Sequence, residues 1–153
     1  MDQADLALSP QLLRPDRTID IVRGACRLLV DLGAAPLLEW TLPNGRRADI
    51  AALDLAGEIL IVEVKSCRED YETDAKWQDY LEFADRFYFA VDRDFPQDLL
   101  PGQCGLIIAD RYGAAILRES PRAPLAPARR KAAMLRFARH AAERLIGVTV
   151  LAS

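Results

Sequence analysis

The chain has 153 residues, 51% hydrophobic and 28% charged, with 8 glycines, 9 prolines and a net charge of −3. This composition is typical of one globular domain and excludes disordered, collagen-like and coiled-coil proteins. Met1–Leu8 lacks the basic residues of a secretory signal, and no apolar run approaches the roughly 20 residues that cross a bilayer, so we expect a cytoplasmic protein without a membrane partner.

The predicted elements begin after an irregular N-terminal lead, residues 1–16, in which Pro10 and Pro15 argue against regular structure. An amphipathic helix follows over residues 17–32, because apolar residues recur there at intervals of three and four, and Gly33 ends it. Three strands joined by tight turns are then predicted at residues 37–42, 46–54 and 58–66.

The second half of the chain alternates helices and strands. A second helix is predicted over residues 71–84, and a basic, alanine-rich final helix over residues 127–146. Three more strands lie between them, at residues 86–91, 105–109 and 114–117. This order predicts one α/β domain, residues 17–146, built around a mixed sheet and followed by a short tail, residues 147–153.

Two turns set the alignment of the first three strands. Leu42-Pro43-Asn44-Gly45 has the residue order of a type I turn closed by a glycine bulge, and Asp54-Leu55-Ala56-Gly57 follows the same pattern. With three-residue loops, Glu39 faces Asp49 and Asp49 faces Glu63. Directly opposed residues project from one face, about 4.5–5.5 Å apart. The turns therefore predict a row of three carboxylates.

Such a row predicts a metal site. Opposed acids repel one another unless a cation lies among them, and carboxylates without nearby His or Cys suit Mg²⁺ or Mn²⁺ rather than zinc. Lys65 follows Glu63 on the same face, where an ammonium group can orient a water and stabilise charge on a phosphorane. The pattern indicates phosphodiester hydrolysis; the alternative is that Ile61–Lys65 is an ordinary half-exposed strand.

The residues around these acids resemble a known family. Arg47-Ala48-Asp49-Ile50-Ala51, followed after a hairpin by Ile61-Val62-Glu63-Val64-Lys65-Ser66, is similar to the core motif of the PD-(D/E)XK nuclease superfamily. Within that superfamily, the chain resembles the MmcB family of bacterial DNA-repair proteins over about residues 17–146. The segments that carry this second resemblance are Asp74–Tyr80, Arg86–Val91 and Leu125–Lys131. One departure is Ala48, which stands where the usual motif has proline and contributes no reacting group.

The resemblance implies a restriction-endonuclease-like fold, with a mixed β-sheet flanked by helices, and a Mg²⁺- or Mn²⁺-dependent deoxyribonuclease. It implies Asp49, Glu63 and Lys65 as catalytic residues and Asp49, Glu63 and Val64 as metal ligands. Many members carry a further Glu on the first helix, which this chain lacks. We expect Glu39 to replace it, on turn geometry alone.

Charge along the chain predicts where DNA binds. Residues 121–153 carry a net charge of +6, so the first 120 residues carry −9. A separate basic surface can attract a polyanion to an acidic site. The expected DNA contacts are Arg47, Lys76, Tyr80, Arg129, Arg130, Lys131 and Arg136. The alternatives are a solvated helix face for the basic cluster, and a surface lysine beside a packed tyrosine for Lys76 and Tyr80.

Three functions are consistent with these patterns. The first is a DNA-repair endonuclease that hydrolyses DNA phosphodiester bonds. The second is a non-catalytic DNA-binding protein of the same fold that acts in a repair complex. The third is an interaction domain whose acids are only surface charge. The presence of Asp49, Glu63 and Lys65 together favours the first.

Overall fold

The protein is described by a computed structural model over residues 10–67 and 76–152. One six-stranded sheet organises it, and the order of strands in the sheet follows the order in the chain. The strands are β1 (Ala35–Thr41), β2 (Arg47–Leu53), β3 (Ile59–Val64), β4 (Arg86–Val91), β5 (Gly105–Asp110) and β6 (Gly113–Arg118). β4 pairs in parallel with β3 and β5, and the other neighbours are antiparallel. The predicted α/β class with a mixed sheet is confirmed.

The first helix, α1 (Pro10–Asp31), begins seven residues earlier than the predicted start at Arg17. Pro10 suits a first helical turn and Pro15 removes only one i−4 hydrogen bond, so neither stops the helix. Part of the predicted irregular lead is therefore helical, while residues 1–9 lie outside the described residues. Gly33 ends the helix as predicted, with φ +85°.

The predicted second helix is of a different type. Residues 77–83 form a 3₁₀ helix, Trp77–Phe83, and residues 71–75 of the prediction lie outside the described part of the chain. Three residues per turn place Trp77 and Tyr80 directly above one another, and both are buried. The i,i+3 spacing of these two residues is thus that of a 3₁₀ helix, which ends at Phe83 with Ala84 as its C-cap.

The final helix, α2 (Pro127–Ile146), has the predicted bounds. A short π-helical segment, Gly147–Leu151, follows where the sequence suggested only a tail. A brief 3₁₀ turn, Gln97–Leu99, lies between β4 and β5 and was not predicted. Across residues 10–67 and 76–152, no helix combines the length and hydropathy that crossing a membrane requires.

Both faces of the sheet are covered. On one face, Ile21, Ala25 and Leu29 of α1 pack against a cluster that includes Ile50 and Val62. Helix α1 comes so close to the β5–β6 hairpin that a Cβ at Gly24 would lie 2.0 Å from the Asp110 carbonyl oxygen. The opposite face carries a larger cluster under the Trp77–Phe83 helix and α2; its rings come from Trp40, Trp77, Tyr80, Phe87, Phe89, Phe95 and Phe137. All six residues of β3 are buried.

The two turns adopt the predicted form. Gly45 has φ +85° and Gly57 has φ +82°, the left-handed conformation that a type I turn with a glycine bulge needs. Leu37 consequently pairs with Ala51, and Ala51 pairs with Ile61, which is the predicted register. Asp49 precedes Ile50 on β2, and Glu63 follows Val62 on β3. The register of the Ile50–Val62 pair therefore places Asp49 opposite Glu63.

Candidate active site

Asp49 and Glu63 meet at the carboxyl end of β3. The backbone N–H of Asp49 donates to Oε1 of Glu63 at 2.9 Å, and the backbone N–H of Val64 donates to Oδ2 of Asp49 at 2.8 Å. The regular pairing of β2 with β3 stops at Ile50 and Val62, just before this point. Each carboxylate therefore accepts a backbone hydrogen bond from the other strand, and the two acids are held side by side.

This acid pair is largely removed from water. Glu63 is 4% exposed and Lys65 is 5% exposed, while Asp49 is half-buried. Burying two negative charges next to each other is unfavourable unless positive charge accompanies them. A carboxylate offers about four lone-pair positions, all on hard oxygen atoms. The arrangement thus has the chemistry of a cation-binding site made of hard oxygen donors.

The segment after β3 is fixed on two sides. The Lys65 backbone N–H donates to the Ala90 carbonyl at 3.0 Å, which extends the parallel pairing with β4 by one residue. The Thr18 hydroxyl of α1 donates to the Ser66 hydroxyl at 3.0 Å. Helix α1 and strand β4 therefore position the backbone of Lys65 beside the two acids.

Glu39 does not join the acid pair, contrary to the prediction. Its φ is +52°, so the backbone of β1 turns at this residue and the alternation of side chains is interrupted. Leu37 and Trp40 consequently enter the same core cluster although an odd number of positions separates them. Glu39 is exposed, and among the described residues no three His, Cys, Asp or Glu side chains are placed to share an ion. The structure therefore brings together two carboxylates, those of Asp49 and Glu63, instead of the expected three.

The residues predicted to contact DNA near the motif fall into two classes. Arg47 and Lys76 are exposed. Tyr80 is 3% exposed; its ring stacks on Phe87 with 5.8 Å between centroids, and its hydroxyl donates to the Arg47 carbonyl at 3.4 Å. Tyr80 therefore packs beneath this surface. Arg46 pairs with Asp79 at 3.2 Å and so ties the first turn to the 3₁₀ helix.

The basic residues of α2 mostly reach back toward their own sheet. The Arg130 guanidinium donates to both carboxylate oxygens of Asp85 and, at 2.8 Å, to the Gly57 carbonyl. Arg136 donates to the Thr41 carbonyl at 3.3 Å, and Arg129 lies 3.6 Å from a Glu82 carboxylate oxygen. Lys131 is exposed. Arg130 is thus part of an internal ion pair, whereas Arg129, Arg136 and Lys131 lie at the surface or partly so.

Asp85 forms a second carboxylate centre, which sequence reasoning missed. Its side chain is fully buried and accepts backbone hydrogen bonds from Ile59 at 2.8 Å and from Leu125 at 2.9 Å. Burial by itself raises the pKa of Asp85, but the hydrogen bonds from Arg130 and from these two amides outweigh burial and hold the pKa below its usual 3.8. The only sequence signal was one acid just before an apolar strand, and nothing local selects Arg130 as its partner.

Comparison with known proteins identifies the family. A profile of the family described as DNA repair protein MmcB-like matches residues 8–152. The chain belongs to the MmcB-like family of DNA repair proteins. This match is longer than the predicted resemblance over residues 17–146 and confirms its family assignment. No functionally curated protein matched the sequence.

A solved structure is similar over most of the chain. It is the SPO1766 protein of unknown function from Silicibacter pomeroyi, which shares 44% sequence identity with a TM-score of 0.85. The alignment covers 90% of this chain and 94% of that protein. The MmcB-like family thus connects the fold to DNA repair, and the chemistry has to be argued from the acid pair itself.

Proposed function

We propose that this MmcB-like protein is a Mg²⁺- or Mn²⁺-dependent DNA endonuclease that acts in repair. The observation that carries the proposal is the pairing of Asp49 with Glu63, each bonded to the other strand's backbone, with Lys65 buried two residues further on. Two adjacent carboxylates can hold a divalent metal ion, and a nearby ammonium group can stabilise the charge that develops as a phosphodiester is hydrolysed. The PD-(D/E)XK resemblance of the motif supports the same assignment.

The donor set suits a hard divalent cation. Carboxylate and carbonyl oxygens are the ligands that Mg²⁺ and Mn²⁺ prefer, and the residues that would hold the ion are Asp49, Glu63 and, through its backbone carbonyl, Val64. The Val64 side chain offers no ligand atom, so only its backbone can take part. When bound, the metal lowers the pKa of a water and neutralises charge on a phosphate oxygen.

Lys65 has a separate role in this proposal. Its ammonium group carries up to three donors, which hold the attacking water in place and stabilise the negative charge that develops on the phosphate. Because Lys65 is only 5% exposed, the attraction between its ammonium group and the phosphate charge is screened less than it would be in water.

In this proposal, exposed and partly exposed cations supply the contacts to the DNA backbone. Arg47 follows the first turn, Lys76 precedes the 3₁₀ helix, and Lys131 lies on α2 together with Arg129 and Arg136. Such contacts position a duplex without reading its sequence. Replacing Arg47, Lys76 or Lys131 by Gln should each reduce the slope of log affinity against log salt by about 0.9. Arg130 is not in this set, because it pairs with Asp85.

Cleavage assays test the catalytic proposal. Purified protein is incubated with Mg²⁺ or Mn²⁺ and a panel of duplex, branched, mismatched and single-stranded DNA. Lys65→Met, which keeps the aliphatic stem and removes the charge, should lower cleavage by about 10²-fold or more. Melting temperature measured on the same samples separates this loss from unfolding. Full cleavage by Lys65→Met would overturn the role given to this lysine.

One observation favours a second candidate function, that of a non-catalytic DNA-binding protein in a repair complex. Oε1 of Glu63 and Oδ2 of Asp49 each already accept a backbone hydrogen bond. The same contacts would serve a purely structural junction between β2 and β3. Salt-dependent DNA binding without cleavage of any substrate in either metal would establish this second function and reject the first.

A further inference from the structure

A cavity with a volume of about 820 Å³ lies between α2 and the turn that joins β1 to β2. Trp40 of β1, Pro43 of the turn and Phe83 of the 3₁₀ helix form part of its lining. The rest comes from α2, where Ala133 and Arg136 are three positions apart and so belong to one side of the helix. Pockets that hold small molecules have volumes of about 300–1,000 Å³, so this cavity can hold a group the size of a nucleotide.

The cavity and the acid pair share one face of the sheet. Glu63 lies two positions after Ile61, and Ile61 belongs to the same core cluster as Trp40, so the Glu63 side chain projects from the face that α2 covers. Strand pairing brings the two sites close together, since Trp40 pairs with Ala48 and Asp49 is the next residue. Neighbouring strands are only about 4.8 Å apart. A nucleotide in the cavity can therefore belong to a DNA strand whose backbone reaches the acid pair.

Positive charge predominates in the lining. Three arginines, Arg129, Arg136 and Arg139, and one acid, Glu143, give it a formal charge of +2 with the histidine neutral. The Arg129 guanidinium carbon lies 5.9 Å from the centre of the Phe83 ring, and the side chain of Arg139 is 79% exposed. Each guanidinium offers five N–H donors, and these arginines use few of them within the protein. Charge complementarity thus selects a ligand with an anionic group, for which phosphate is well suited.

Two buried polar atoms of the lining have no hydrogen-bond partner. They are Nε1 of Trp40, a residue that is 0% exposed, and Nδ1 of His140. Across the described part of the chain, no other buried side-chain nitrogen or oxygen atom is left in this state. A buried indole N–H normally finds an acceptor, and leaving it without one is unfavourable. The occurrence of both atoms in one cavity indicates a ligand that brings hydrogen-bonding atoms with it.

A nucleotide combines the features that this lining requires. Its base is a flat ring whose edge carries nitrogen and carbonyl acceptors, and its phosphate is anionic. Phe83 is half-buried and supplies an aromatic surface on which a base can stack. The base has to be unpaired, because a duplex covers the ring by stacking and occupies the edge by pairing. An intact duplex therefore does not place a base in this cavity.

We propose that the cavity binds one unpaired nucleotide of the DNA substrate, with its base beside Phe83 and His140 and its phosphate among the arginines of the lining. This inference rests on the proposed function, because it takes DNA as the substrate, and it applies to binding with or without cleavage. It narrows the substrate class to DNA that has an unpaired nucleotide near the phosphate at the acid pair, as in a bulge, a mismatch or a flap.

Binding to two matched DNA probes tests the proposal. They are labelled duplexes of one sequence, one fully paired and one with a single extra nucleotide in one strand. Fluorescence anisotropy is measured with Ca²⁺ in place of Mg²⁺, because Ca²⁺ also takes carboxylate ligands, and electrophoresis verifies that the DNA remains uncleaved. The wild-type protein should bind the bulged duplex about tenfold more tightly, since one base gains stacking and hydrogen bonds.

The outcomes separate this inference from the proposed function. Equal affinity for the two duplexes would overturn the inference and leave DNA binding itself intact. Absence of binding to both would reject the proposed function together with the inference. A preference for the bulged duplex without cleavage in Mg²⁺ or Mn²⁺ would support the inference and reject only the catalytic proposal.

A variant that fills the cavity locates the effect. Ala132 lines the cavity and is exposed, so Ala132→Phe adds a ring there without a change of charge. This variant should lose the preference for the bulged duplex and keep its affinity for the paired one. The matched control is Ala142→Phe, which is exposed on the same helix outside the lining and should behave as wild type. A preference that survives in Ala132→Phe, or is lost in both variants, would overturn the assignment to this cavity.

Tryptophan fluorescence gives an independent measurement. The chain has two tryptophans, so Trp77→Phe leaves Trp40 of the cavity lining as the single reporter. The bulged duplex should change its emission, whereas the paired duplex should change it little. A mixture of deoxynucleoside monophosphates tests the other occupant. A response to these nucleotides, with no difference between the two duplexes, would assign the cavity to free nucleotides and overturn the proposal.

Discussion

The two ends of β3 both carry buried carboxylates, and they differ in what balances the charge. At the amino end, Glu58 and Asp85 lie among the guanidinium groups of Arg86, Arg122 and Arg130. At the carboxyl end, Asp49 and Glu63 lie together with Lys65 as the lysine of the same motif. The formal charge is +1 in the first group and −1 in the second.

The difference separates a site with a structural role from the site that we propose to be catalytic. Every acid at the amino end has an arginine supplied by the chain itself, so the site is complete when the protein folds. The acid pair at the carboxyl end is accompanied by the lysine of its own motif. Under the function proposed above, an exchangeable divalent cation binds there as well.

The largest expected effect comes from breaking the complete site. Arg130→Met leaves the fully buried Asp85 without its guanidinium partner, and removal of one member of a buried ion pair costs about 3–5 kcal/mol. Chemical denaturation measures the loss. Lys131→Met, next to it but exposed, is the control and should change the unfolding free energy by less than about 0.5 kcal/mol. Equal losses in the two variants would contradict a structural role for the Asp85–Arg130 pair.

Acid should weaken the same site. The pKa of Asp85 is below 3.8 in the folded protein, so its ionised form stabilises the fold above the unfolded pKa, and that contribution is lost as pH falls through the folded pKa. Unfolding free energy measured between neutral pH and about pH 2 should fall in this window. In Arg130→Met the contributions of Arg130 that lower the pKa of Asp85 are gone, so the part of the decrease that Asp85 causes should become smaller or disappear. An equal decrease in the variant would show that another group controls acid stability.

The metal prediction addresses the opposite end of β3. Magnesium should raise the melting temperature of the wild-type protein and should not raise that of Asp49→Asn. At a free Mg²⁺ concentration 100 times its Kd, the expected stabilisation is about 2.7 kcal/mol. In chelator, Asp49→Asn should be as stable as wild type or slightly more so, because one of two repelling charges is gone. Equal responses of both proteins to Mg²⁺ would place the ion elsewhere.

The smallest expected effect tests the exclusion of Glu39. Its φ of +52° is one that glycine adopts without a Cβ penalty, so Glu39→Gly should stabilise the protein by up to about 1 kcal/mol. The increase in melting temperature with Mg²⁺ should be the same as in wild type. If Glu39→Gly weakened that response, Glu39 would have to belong to the metal site in the bound state.

Local chemistry explains which parts of the fold could be predicted. The residues of the two turns determine loop length, loop length determines register, and register places Asp49 opposite Glu63. All of these steps concern residues close together in sequence. The bounds of α2 followed in the same way from Pro127 and the run of good helix formers after it.

The predictions that failed depended on backbone conformation or on contacts between residues far apart in the sequence. The positive φ of Glu39 changes the direction of a side chain inside a strand that otherwise alternates, and no residue type near it signals the change. Arg130 looked like part of a DNA-binding face because its partner Asp85 lies 45 residues away in the sequence. Side-chain pairing over such distances depends on the whole packing arrangement, which single-sequence patterns do not contain.

The separation of 45 residues between Asp85 and Arg130 also affects how the protein folds during synthesis. Strand order in the sheet follows chain order, so each strand can join a neighbour already made as the ribosome proceeds. The last of the six strands ends at Arg118, yet Arg130 emerges later, with α2. Until then the growing chain holds the Asp85 carboxylate in a nearly finished sheet without its counterion. We therefore expect α2 to dock after the sheet has formed, and we expect a nascent chain that stops before Arg130 to remain open to proteases.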